Sequence, residues 1–144
     1  MTNRSIKHAT FTIDRTYPAS PGRVFAAFAS KAAKARWFGS PDHPPTSWEL
    51  DFRVGGVERN VGAGFVFDAR YYDIVPNERI VFAYDMLMND ARISVSLTTI
   101  ELRAEGTGTR MVFTEQGAFL DGLDDPKARE GGTREMLEAL GASL

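Results

Sequence analysis

The chain has 144 residues, of which 43% are hydrophobic and 25% charged, with a formal net charge of −2 and no cysteine. One domain over residues 1–144 with a single core is expected at this size, and the missing thiols exclude disulfides, thiolate metal sites and cysteine nucleophiles. Interspersed charges argue against a nucleic-acid surface, no apolar run reaches the roughly 18 residues of a spanning helix, and the lack of a hydrophobic N-terminal segment makes a cytoplasmic location the default.

Phe11, Ile13, Arg15 and Tyr17 alternate with Thr10, Thr12, Asp14 and Thr16, the period of a strand with one covered face. Arg15 then points inward and calls for a carboxylate partner. Pro18 ends the strand, Ser20 is placed to cap a helix, and Pro21 suits its first position. Val24, Phe25 and Phe28 give that helix its apolar side. Ser30 caps a second short helix over residues 31–38, closed by Gly39.

Residues 40–46 hold three prolines and read as loop. From Ser47 the period becomes two, with Trp48, Leu50, Phe52 and Val54 on one face and Glu49, Asp51 and Arg53 on the other. Gly55-Gly56 fits a tight turn, because glycine reaches positive φ without steric penalty. Strands follow over residues 57–61, 65–75, 79–88, 92–102 and 109–116, separated by Gly, Pro, Asn and Asp turns. A bulge within residues 65–75 would invert the faces beyond it. Residues 117–130 form a mixed linker, and residues 129–144 an amphipathic helix with Met136, Leu137, Leu140 and Leu144 on its stripe. Gly131-Gly132 could delay its start to Thr133. The expected class is α+β: a curved antiparallel sheet of about six to seven strands around a long C-terminal helix, with two short helices between strands one and two.

Several segments carry a resemblance. Tyr17-Pro18-Ala19-Ser20-Pro21 through Val24-Phe25, Arg36-Trp37-Phe38 before Pro41, Asp51-Phe52-Arg53 with Gly55-Gly56, Ile74-Val75-Pro76 to Arg79-Ile80-Val81, and Gly108-Thr109-Arg110 succeed one another in order. Together they resemble the START and birch-pollen-allergen-like (SRPBCC) superfamily, which implies a helix-grip fold, and within it bacterial proteins related to the C-terminal domain of the activator of Hsp90 ATPase. Relatives commonly carry a Gly-Trp pair where the final helix begins; here Gly131-Gly132-Thr133 stands instead.

The resemblance implies a cavity between sheet and C-terminal helix that receives a small hydrophobic molecule of lipid, polyketide or aromatic type, bound without catalysis. The expected wall is Phe28, Trp37, Phe38, Trp48, Phe52, Phe67, Tyr84, Met86, Val95, Phe113, Phe119, Met136 and Leu140. The same residues could instead simply fill a core. Met86 and Met88 suit an irregular gap, and Tyr71, Tyr72 and Tyr84 carry hydroxyls that reach a ligand, solvent or the backbone.

Family analogy implies two alternatives, a protein-binding module with a chaperone partner and a cyclase- or dehydratase-type enzyme. For the enzyme the candidates are Arg15, Asp51, Arg53, Asp68, Asp73 and Asp85, and a polar cluster deep in the cavity would be required. Asp51 and Arg53 read better as a surface ion-pair row. His8 and His43 make neither a metal site nor a triad, and Gly62-Ala63-Gly64 lacks the lysine and helix of a phosphate loop. No cofactor, metal, nucleic acid or membrane insertion is expected; homodimerisation is open.

Overall fold

The computed structural model describes residues 4–144. Along the chain lie β1 (Ile6–Tyr17), α1 (Pro21–Ala29), α2 (Lys31–Lys34), β2 (Ser47–Leu50), β3 (Val57–Gly62), β4 (Phe65–Val75), β5 (Arg79–Met88), β6 (Ala91–Glu105), β7 (Gly108–Leu120) and α3 (Pro126–Ser143). The strands form one curved antiparallel sheet in the order β1-β7-β6-β5-β4-β3-β2. Neighbours in sequence pair as hairpins from β2 to β7, and β1 closes against β7. This is the curved sheet around a C-terminal helix expected from the periodicities, and the helix-grip arrangement implied by the resemblance. No helix among the described residues is long and apolar enough to cross a membrane.

Strand β1 buries Phe11, Ile13 and Tyr17 and exposes the threonines between them. Arg15 shares their phase but is only half-buried, and among the described residues no carboxylate pairs with it. Its guanidinium lies 5.4 Å from the Tyr17 ring centroid. The partner demanded of a buried charge is not needed where water still reaches it.

Ser20 and Ser30 cap α1 and α2 by accepting from the backbone N–H of Arg23 and Ala33. Helix α2 is a single turn, shorter than the expected span of residues 31–38. Turns carry the chain on to Phe38, whose N–H donates to the Lys34 carbonyl at 2.9 Å, while the Trp37 indole N–H donates to the Ala27 carbonyl at 3.0 Å and its ring meets Phe28 edge-on at 5.0 Å. A tertiary anchor outweighs local helix propensity here. Strand β2 likewise ends at Leu50, not at Val54. Gly55 takes φ +83° and donates its N–H to the Tyr71 carbonyl, and a Cβ on Gly56 would sit 2.0 Å from the Asp51 carbonyl oxygen. Both glycines are therefore required by the turn.

Two bulges set which side chains face inward. One falls at Tyr72 between β4 and β5, the other at Ile93 between β5 and β6. Beyond the second, Ser94, Ser96, Thr98 and Ile100 point inward, and Val95 and Leu97 are left on the outer face at 45% and 41% exposure. Val95 therefore does not belong to the interior wall. One extra residue in a strand inverts every face beyond it.

The linker over residues 117–130 is also corrected. β7 continues to Leu120, and after a turn Asp125 caps a helix that starts at Pro126, its side chain accepting from the Lys127 N–H. Gly131 and Gly132 lie inside α3, where a Cβ would meet nothing within 4 Å. Each lowers helix stability by about 1 kcal/mol relative to alanine, so packing must hold α3 in place. Thr133, Leu137 and Leu140 are its buried residues. The Tyr17 hydroxyl donates to the Leu137 carbonyl at 2.7 Å, and burial pushes that phenol's pKa up to about 12.

Candidate functional site

Between the concave sheet face and α3 lies a cavity of about 170 Å³. Its deep walls are Phe67, Tyr71, Ile80, Phe82, Tyr84, Ile100 and Phe113 from the sheet, Phe28 and Trp37 from the α1–α2 hairpin, and Leu137 from α3. Its more exposed lining residues, Gly39, Ser40, His43 and Pro45 with the half-buried Phe65 and Met136, mark the mouth. The Gly39 N–H approaches the Met136 sulfur at 3.3 Å and bridges the rim from loop to helix.

Of the residues expected in the wall, Phe28, Trp37, Phe38, Phe67, Tyr84, Met86, Phe113 and Met136 line this cavity. Trp48, Phe52, Phe119 and Leu140 do not. Phe52 packs edge-on between Phe25 and Tyr71, Phe119 lies 5.2 Å from the Arg129 guanidinium, and Leu140 is wholly buried in the core. Trp48 stands outside and turns its indole N–H toward Glu58 at 2.9 Å.

The interior also holds charge. Glu58 on β3 is 0% exposed and Lys34 on α2 is 3% exposed, and their side chains meet at 2.5 Å. The Tyr71 hydroxyl donates to the same carboxylate at 2.7 Å. The Lys34 ammonium lies over the Phe38 ring at 4.4 Å, with Phe67 and Phe82 at 5.7 and 5.9 Å. Burial lowers the Lys34 pKa and Glu58 opposes the shift; burial raises the Tyr71 phenol, and the neighbouring carboxylate adds to it.

A second polar group lies where α3 begins. Arg129 donates to the Tyr84 hydroxyl and to Ser94, each at 2.8 Å, and to Asp124 at 2.7 Å, and stands 3.5 Å from Glu115. The Tyr84 hydroxyl lies 3.0 and 2.9 Å from the two Glu115 oxygens. Burial raises the Glu115 pKa, against the pull of Arg129 and of the Tyr84 hydroxyl. A carboxyl raised in this way can hold a proton above the usual carboxylate range and present it to a ligand.

The acid–base candidates named from sequence do not enter the cavity. Asp51 pairs with Arg53, Asp73 with Arg79 and Asp85 with Arg92 at solvent-accessible positions, and Asp68 lies on the outer face of β4. The Tyr71 and Tyr84 hydroxyls are committed to buried carboxylates, and Tyr72, at its bulge, is exposed. His43 reaches the mouth. Sequence reasoning missed Lys34, Glu58, Asn60, Glu115 and Arg129. Two were visible: Glu115 continues the inward series Thr109, Met111 and Phe113, and Arg129 shares a helical face with Thr133, Leu137 and Leu140.

The fold, with its cavity between sheet and C-terminal helix, is that of a helix-grip protein of the SRPBCC class. Residues 18–144 match the family described as Activator of Hsp90 ATPase homolog 1-like protein, and the chain belongs to that family. Among solved structures it is similar to an uncharacterized protein from Rhizobium leguminosarum (46% identity, TM-score 0.93, covering 99% of this chain and 97% of that one). It is also similar to the Mll3558 protein from Rhizobium loti (52%, TM-score 0.88, 97% and 99%) and to protein CV1439 from Chromobacterium violaceum (29%, TM-score 0.74, 92% and 94%). No curated protein is matched.

Lys34→Met alone strands a buried carboxylate and is expected to lower stability by about 3–5 kcal/mol in urea unfolding. Adding Glu58→Gln removes the stranded charge and is expected to recover most of the loss; a double variant as unstable as the single one contradicts this. The Glu115 pKa is raised on folding, so its stabilising contribution is full below its ordinary value and is lost as pH rises through the folded value. The stability of the wild type relative to Glu115→Gln is therefore expected to fall as pH rises from acid, and a pH-independent difference contradicts it.

Proposed function

We propose that the protein binds a small, mostly apolar molecule of single-ring size in the cavity beneath α3. The space of about 170 Å³ under an aromatic wall carries this reading. Dry apolar cavities of about 150 Å³ accept benzene, whereas drug-sized ligands occupy pockets of roughly 300–1,000 Å³. Volume therefore favours the aromatic class over lipids and polyketides. Trp37 in the wall supplies a reporter. In titrations followed by tryptophan fluorescence and thermal unfolding, toluene, indole and similar rings are expected to quench emission and raise Tm, by about 2.7 kcal/mol of added stability at a hundredfold excess over Kd. Long-chain lipids and flavonoids are expected to do neither. Silence across the single-ring compounds would overturn the reading.

A second reading, a cyclase- or dehydratase-type enzyme, is favoured by one observation: Glu115, Tyr84 and Arg129 form the deep polar cluster such chemistry needs. Glu115 would be the acid. Its mark would be conversion of a bound compound, detected by mass spectrometry and abolished in Glu115→Gln; binding without conversion discounts it.

A further inference from the structure

Resting on the single-ring reading above, we propose that the cavity selects a neutral phenol, whose hydroxyl donates to the side-chain oxygen of Asn60 and accepts an N–H of Lys34. Asn60 is 5% exposed and lines the cavity. Its Oδ1 is closed to solvent and has no hydrogen-bond partner among the described residues. An orphaned buried carbonyl of this kind is destabilising until a donor meets it. Nearby, Glu58 occupies one of the three N–H groups of Lys34, and the other two have no acceptor among the described residues, only the rings of Phe38, Phe67 and Phe82.

The two groups belong to one corner of the cavity. Asn60 follows Glu58 by two residues on the same buried face of β3, roughly 6–7 Å along the strand, and Glu58 holds the ammonium. Asn60 also pairs across the sheet with Phe67, one of the rings beside that ammonium. A ligand group at this corner meets an unmet acceptor and an unmet donor. A hydroxyl satisfies both with one atom and leaves its ring among Phe38, Phe67 and Tyr84.

Charge decides against anionic relatives of the same shape. Lys34 and Glu58 already neutralise one another, so a carboxylate or phenolate would bring an uncompensated charge into a buried site. The methyl ether accepts but cannot donate and leaves Asn60 orphaned, and toluene, which matches phenol in size, does neither. Discrimination among phenol, anisole and toluene therefore reads the two hydrogen bonds separately.

The test is calorimetric titration of the intact protein and of Asn60→Leu with phenol, anisole and toluene, with circular dichroism and thermal unfolding verifying that the variant folds. The wild type is expected to bind phenol about tenfold more tightly than anisole, the equivalent of one net hydrogen bond. Asn60→Leu is expected to weaken phenol about tenfold and leave toluene unchanged or tighter. Asn60→Asp, which keeps an acceptor at the same place, is expected to retain part of the preference. Toluene binding with no phenol preference, or equal weakening of all three ligands in Asn60→Leu, overturns the hydroxyl assignment and leaves the single-ring reading standing. If none of the three binds, both fall.

Discussion

The buried pair of Lys34 and Glu58 is the constraint on which the interior depends. Neither charge could be enclosed alone, since the desolvation of each amounts to several kcal/mol in a folded protein. Brought to 2.5 Å and joined by the donors of Tyr71 and Trp48, they become tolerable. The arrangement spans elements distant in sequence: Lys34 lies on α2, Glu58 on β3, Trp48 on β2 and Tyr71 on β4. It thereby fixes how far the α1–α2 hairpin stands from the sheet.

Arg129 does the corresponding work at the start of α3. It reaches Tyr84 on β5, Ser94 on β6 and Asp124 in the turn before the helix, with Glu115 on β7 close by. Farther along, Leu137 and Leu140 bury against the core and Tyr17 bonds the Leu137 carbonyl. Two glycines weaken the helix between these attachments, at Gly131 and Gly132. The same part of α3 supplies Thr133 and Met136 to the cavity lining, so the segment beside the cavity is the one least stiffened by its own sequence. Polar anchors at two places and apolar contacts between them leave a gap that neither group can fill.

Much of the fold was legible because period and punctuation agree. Ser20-Pro21 and Ser30 mark the helix starts, Gly55-Gly56 and the later turns bound the hairpins, and Leu137 with Leu140 marks the gripped face. The wall was legible in part where a strand ran without interruption, as at Phe67 on β4, Tyr84 on β5 and Phe113 on β7. It failed at Val95, because the bulge at Ile93 has no composition of its own and is set by pairing with β5. Glu58 and Asn60 were hidden for another reason. On a short strand, alternating polar residues read as a solvent face, and only the partners across the sheet reveal that they turn inward. Lys34, on one turn of helix with two alanines, gave no periodic signal.

If the space beneath α3 persists in solution and accepts a ring, a heavy atom on that ring will report its place. The most direct measurement is the anomalous signal from bromine in crystals of the protein equilibrated with bromobenzene. One peak is expected among Phe38, Phe67, Tyr84 and Phe113, with the Lys34–Glu58 and Arg129 contacts unchanged. A cavity closed by inward collapse of these rings, or bromine found only on the outer face of the sheet, would contradict it.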